Sequence, residues 1–149
     1  MTMTLAQLTA RTGLDVLDHL ERELTVPVVD GLQAQGDLIV VPHHLVPTVT
    51  DTSWTVWQDV PPDGVELLRG AGGGNPHTLV ADPGTCRWTT SVRDPLRLAL
   101  GLLETTAVAY LIHPEHGGTG IAPGRYVVRR QRERGRTTTA FGADRLVAD

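Results

Sequence analysis

Lysine is missing from this chain: all thirteen of its basic residues are arginine. No mechanism can therefore draw on a lysine nucleophile or Schiff base, and we read the arginine bias as GC-rich coding rather than chemistry. Cysteine is nearly missing too. Cys86 stands alone, which excludes an internal disulfide and any zinc framework of paired CxxC motifs, and fits a reducing compartment. Long apolar runs are absent, since nothing approaches the roughly 18 continuous apolar residues of a membrane span. The opening MTMTLAQLTARTG has no basic stretch followed by an apolar core, so no secretory leader is read there, and the expected location is the cytoplasm without membrane contact. Nor is there a surplus of positive charge. A net charge of −4 argues against broad attraction to nucleic acid or anionic lipid.

What is present suits one globular domain. A chain of 149 residues is long enough to bury a core without disulfides. Its 40% hydrophobic and 20% charged content excludes both disorder and a fibrous repeat. Leu14, Leu17, Leu20 and Leu24 recur at three- and four-residue steps between Asp15, Asp18, Glu21 and Arg22, which predicts an amphipathic helix over 14–24. Thr12 or Gly13 serves as its expected N-cap, and Pro27 closes it. A shorter helical turn is read around Leu5 and Leu8.

From Gln35 the pattern changes to strands. Apolar runs at 38–41, 65–68, 78–81 and 108–112, an alternating stretch at 54–58 and the segment 126–130 are divided by turn signals such as Pro61-Pro62-Asp63-Gly64, Asp82-Pro83-Gly84 and Pro123-Gly124. The alternation of Leu96, Leu98, Leu100 and Leu102 suits a strand, because Gly101 weakens a helix interior; Pro95 at a first helical position supports the helical alternative. Short strands at steps of about ten residues predict a mainly β fold, an antiparallel sandwich or barrel. The expected organisation is an N-terminal helical segment, 1–34, followed by a β-rich domain, 35–149. The glycine stretch 70–74 lacks the lysine of a phosphate-binding loop and reads as a connection.

His113-Pro114-Glu115-His116 is the most unusual local sequence. Two imidazoles and a carboxylate at a strand end are ligand types that zinc, iron, nickel or copper accept. They need a partner from elsewhere. His77, at the entrance of another strand, is the best remote candidate, so the expected metal ligands are His77, His113 and His116, with zinc or iron as the divalent metal. Against this stands the plain alternative that Pro-Glu-His only shapes a turn. His43 and His44 are weaker candidates, since adjacent strand residues point to opposite faces. No HExxH, GxSxG or PCxxC motif is present. Cys86 reads as a small buried thiol despite its neighbour Arg87. The stretch 125–136 is strongly basic, and period-two geometry sets Tyr126, Val128 and Arg130 on one face and Val127 and Arg129 on the other. It reads first as an edge strand protected by charge.

Several separated motifs resemble those of a family of small, largely uncharacterised bacterial and phage proteins. They are Gln35-Gly36-Asp37-Leu38-Ile39-Val40-Val41-Pro42, His113-Pro114-Glu115-His116, Gly124-Arg125-Tyr126-Val127-Val128-Arg129-Arg130-Gln131-Arg132-Glu133 and the terminal Val147-Ala148-Asp149. In that family a GHxH-like motif lies ahead of the HxEH motif. This chain has Gly74-Asn75-Pro76-His77 there, keeping one histidine and carrying asparagine in place of the other. The resemblance implies that the two histidine regions lie together, and it implies no activity.

The leading expectation is thus a small cytosolic β-domain that binds a divalent metal or a polar ligand through His77, His113 and His116. Should catalysis occur, metal-activated water is the nucleophile and Glu115 its general base. The alternative is a non-catalytic interaction or assembly module, whose N-terminal helix and arginine-rich edge strand bind a protein partner or a further copy of the chain. Nucleic acid ranks behind both.

Overall fold

The computed structural model describes residues 3–16, 24–69, 75–130, 132–134 and 144–146. Thr4 opens the first element: its Oγ1 accepts from Gln7 N at 3.2 Å, and its own N–H donates to Gln7 Oε1 at 2.9 Å. This reciprocal capping box starts α1 (Leu5–Thr12). Gly13 ends the helix in the left-handed region, φ +74°, with its N–H on Thr9 O at 2.9 Å. The observed helix is therefore the short Leu5 and Leu8 turn. Gly13, expected as an N-cap, is a C-cap, because a left-handed glycine there gives Thr9 O a donor. Residues 14–16 are not helical, and 17–23 of the expected 14–24 helix lie outside the described residues.

The strands follow in order: β1 (Val28–Val29), β2 (Gln33–Gln35), β3 (Leu38–Pro42), β4 (Gln58–Asp59), β5 (Val65–Arg69), β6 (Pro76–Val80), β7 (Cys86–Thr89), β8 (Ala99–Thr105), β9 (Ala109–His113), β10 (Gly117–Ile121), β11 (Gly124–Arg130), β12 (Arg132–Arg134) and β13 (Asp144–Leu146). One sheet has the order β1-β10-β9-β6-β5, a second the order β2-β3-β11-β8-β7-β4, and β12 pairs with β13. Among the described residues the sheets do not close into a barrel. Pairing is antiparallel apart from β1, which runs parallel to β10, so the expectation of a purely antiparallel fold is corrected at that edge.

Period-two burial explains how the sheets meet. Leu68, Leu79, Leu111 and Ile121 of the first sheet share one apolar cluster with Leu38, Val40, Trp88, Leu103, Tyr126 and Val128 of the second. On the other face of the first sheet, Leu5 and Leu8 of α1 cover Val80 and Ile112 together with Val26. A third cluster lies on the second sheet's other face, where Val49 and Trp57 meet Leu102 and Val127. Residues before position 35 thus contribute a helix and strands to both sheets.

Two strand expectations change. Only Gln58 of the 54–58 alternation enters a strand, while Trp54 and Val56 are 88% and 78% exposed; Trp57 alone turns down onto the sheet. The part of the basic stretch that lies in β11 is not an edge either. β11 pairs with β3 on one side and β8 on the other, because Val127 and Val128 each have an apolar cluster to fill. Among the described residues no helix is long and apolar enough to cross a membrane.

Candidate functional site

Antiparallel register brings the two histidine regions together. β6 and β9 pair through Thr78↔Ile112 and Leu79↔Leu111, so the next step along the ladder sets His77 beside His113. Both rings share a face with Leu79 and Leu111 and point between the sheets. Their centroids lie 4.4 Å apart, and His116 stands 4.4 Å from His113 and 6.3 Å from His77. His77 and His113 are buried, whereas Glu115 and His116 are exposed on the β9–β10 turn. All three predicted histidines therefore meet at one sheet end, with Glu115 beside them. Asn75 holds that carboxylate, its Nδ2 donating to Glu115 Oε1 at 3.1 Å.

The hydrogen bonds fix what the buried rings offer. His113 Nδ1 accepts from the backbone N–H of Glu115 at 3.1 Å and of His116 at 3.3 Å. Its Nδ1 lone pair is thus engaged in shaping the turn, and in the neutral ring the proton sits on Nε2. His77 faces the β2–β3 turn of the opposite sheet, with Nδ1 3.0 Å from Gln35 Oε1 and Nε2 3.1 Å from Asp37 Oδ1. The Gln35 amide cannot be reversed, because its Nε2 donates to the carbonyl of Leu111 at 3.1 Å. Both nitrogens of His77 therefore lie within hydrogen-bond distance of side-chain oxygens of the opposite sheet. Among the described residues no group of three or more His, Cys, Asp and Glu side chains is arranged to hold a metal ion.

Gln35 and Asp37 are the residues that sequence reasoning missed. Both are buried, in the two-residue connection Gly36-Asp37 and the strand end before it. The signal was available, since both lie in the Gln35-Gly36-Asp37 motif on which the family resemblance rests. A family model for a domain of unknown function, DUF8820, matches residues 34–131. The chain belongs to the DUF8820 family. The matched span contains Gln35, Asp37, His77, His113, Glu115 and His116, so the whole cluster lies inside the DUF8820 domain. No curated protein and no solved structure matches the chain.

The remaining histidines lie apart from the cluster. His43 Nε2 donates to Val49 O at 2.6 Å, which ties the 3-10 turn His43–Leu45 to the segment above the second sheet. His44 is exposed and lines a cleft with Leu45, Arg125 and Tyr126. Beside His116 a cleft of about 200 Å³ opens between Leu5, Leu24, Val26, Pro27 and the start of β10. Cys86 is buried, and burial pushes its thiol up to about 12 against an opposing hydrogen bond with Thr105.

Proposed function

We propose that this chain is a small binding domain whose polar ligand meets it at the sheet end carrying Glu115 and His116. The observation that carries the reading is convergence: residues from β6, from the end of β9 and from the β9–β10 turn gather three imidazoles within 6.3 Å. A ligand would find the His116 imidazole and the Glu115 carboxylate at the surface, with the buried His113 ring behind. Leu24, Val26 and Pro27 provide an apolar wall along the adjoining cleft. A few polar groups set beside an apolar wall are the common composition of small-molecule sites. The ligand class is therefore a small molecule with a polar head for Glu115 and His116 and an apolar portion for the cleft.

A divalent metal is the other use of these side-chain types, and it would first require His113 to give up its bonds to the turn. One experiment addresses both. Ring signals of His113 and His116 are followed by NMR while Zn²⁺ and a panel of small carboxylates, phosphates and amines are added to untagged protein. Shifts of both rings that saturate with an organic probe, and that vanish in a Glu115→Gln, His116→Ala variant, support the reading. Saturation by Zn²⁺ alone assigns the site to metal, and rings that ignore every probe remove the binding proposal.

A further inference from the structure

We infer that the cleft at the far end of β10 from the histidines is a second binding site, one that takes a small organic ammonium ion with its charged head on Asp30. Three turns frame this cleft: the β1–β2 connection with Asp30 and Leu32, the 3-10 turn with His44 and Leu45, and the β10–β11 turn leading into Arg125 and Tyr126. Its volume is about 460 Å³, within the range of small-molecule sites. β10 separates it from the histidine end: His116 adjoins the first residue of that strand, Gly117, whereas this cleft lies past the last, Ile121. The site therefore draws on neither Glu115 nor His116.

The charges around the cleft select a cation. Arg125 is already engaged: its Nη2 lies 2.8 Å from Asp51 Oδ1 and its Nε 3.9 Å from Glu104 Oε2, with the guanidinium carbon 5.6 Å from the Trp57 ring. Asp30 has no such basic partner among the described residues. Its charge acts on Tyr126 instead, whose hydroxyl is pushed up first by burial and then by that carboxylate. The same hydroxyl donates to Ala122 O at 2.8 Å, so its oxygen is left to accept, which suits an N–H donor and repels a carboxylate. Beside these groups Leu32 and Leu45 are 60% and 57% exposed, and a hydrocarbon body laid against them would take apolar surface out of water. A bare calcium ion, which takes about six to eight oxygen ligands, would find one carboxylate there and gain nothing from the leucines.

Three probes with one hydrocarbon body test the site: hexylammonium, hexanol and hexanoate, each titrated into the full chain at fixed pH and ionic strength while backbone amides are followed by NMR. Saturable shifts centred on residues 30–32 and 125–126 are expected with hexylammonium, at an affinity about tenfold above that for hexanol, the scale of one hydrogen bond to a charged group. Hexanoate is expected to bind most weakly. Asp30→Asn, a change at an exposed position, should remove the preference, so that ammonium and alcohol bind alike. No saturation by hexylammonium, equal affinity for hexylammonium and hexanol in the parent, or a preference that survives Asp30→Asn would each overturn the inference. Shifts confined to Glu115 and His116 would overturn it too, and would place the amine at the histidine end instead.

Discussion

The Trp88 indole fills the space that a side chain at Gly101 would need. A Cβ at position 101 would lie 2.6 Å from Cη2 and 2.7 Å from Cζ2 of that ring, with the Thr89 carbonyl closer still. Alanine normally gains over glycine inside a strand. Here the order reverses, because Trp88 is buried in the shared core and cannot withdraw. Gly101→Ala is expected to cost about 1–3 kcal/mol, the usual range for overpacking. The check is a lower urea midpoint at unchanged slope; a variant as stable as the parent would show that the ring has another place to sit.

Gln35 supplies the second prediction. Its amide joins His77 to the Leu111 carbonyl, so a Gln35→Leu change keeps the bulk and removes two buried hydrogen bonds between the sheets. Each loss costs about 1–3 kcal/mol. Gln35→Leu should therefore be destabilised by several times more than Gln58→Leu, which changes an exposed position on the edge strand β4. Equal midpoints for the two variants would show that Gln35 has no part in joining the sheets.

These two cases show which parts of the fold were legible. The apolar runs at 38–41 and 108–112 each became strands, because a continuous run must be covered on both faces and the molecule has a cluster on each side of each sheet. The meeting of His77 with His113 was also anticipated, from the place of both at strand ends and from the family resemblance. What the pattern could not show is register. The Thr78↔Ile112 pairing and the placement of Gln35 and Asp37 opposite His77 depend on contacts between distant segments. β10 was hidden for a different reason: Gly117, Gly118 and Gly120 carry no β preference, and the strand exists because β9 and β1 flank it. Trp54 and Val56 misled in the opposite direction, since alternation predicts a strand only where one face finds a partner.

Cys86 should be inert in the folded protein. Burial pushes its thiol up to about 12, so at pH 8 roughly one molecule in ten thousand carries the reactive thiolate, and that one is shielded from reagent. A disulfide reagent such as DTNB is expected to leave native protein unmodified over hours and to titrate one thiol within minutes in 6 M guanidinium. Rapid native labelling would mean that β7 opens readily at its Cys86 end.

Asp94 gives a pH dependence on the acid side. Desolvation raises its proton affinity, but N–H bonds from Ala99 at 2.7 Å, Leu96 at 3.0 Å and Leu98 at 2.8 Å, with the Arg129 charge, outweigh it, and the net shift is downward. A folded value below the unfolded one, about 3.9, contributes stability that is present above pH 3.9 and lost as pH falls through the folded value. The three amides it gathers lead directly into β8, and Arg97 within that turn sits at φ +54°, so the carboxylate holds a backbone shape that an arginine would otherwise leave. Asp94→Ala should lower stability at pH 7 by about 1 kcal/mol, the scale of losing a capping acceptor. The difference between parent and variant should then shrink as the solution is taken from pH 5 to pH 2. A gap that stayed constant across that range would mean the loop depends on the shape of Asp94 and not on its charge.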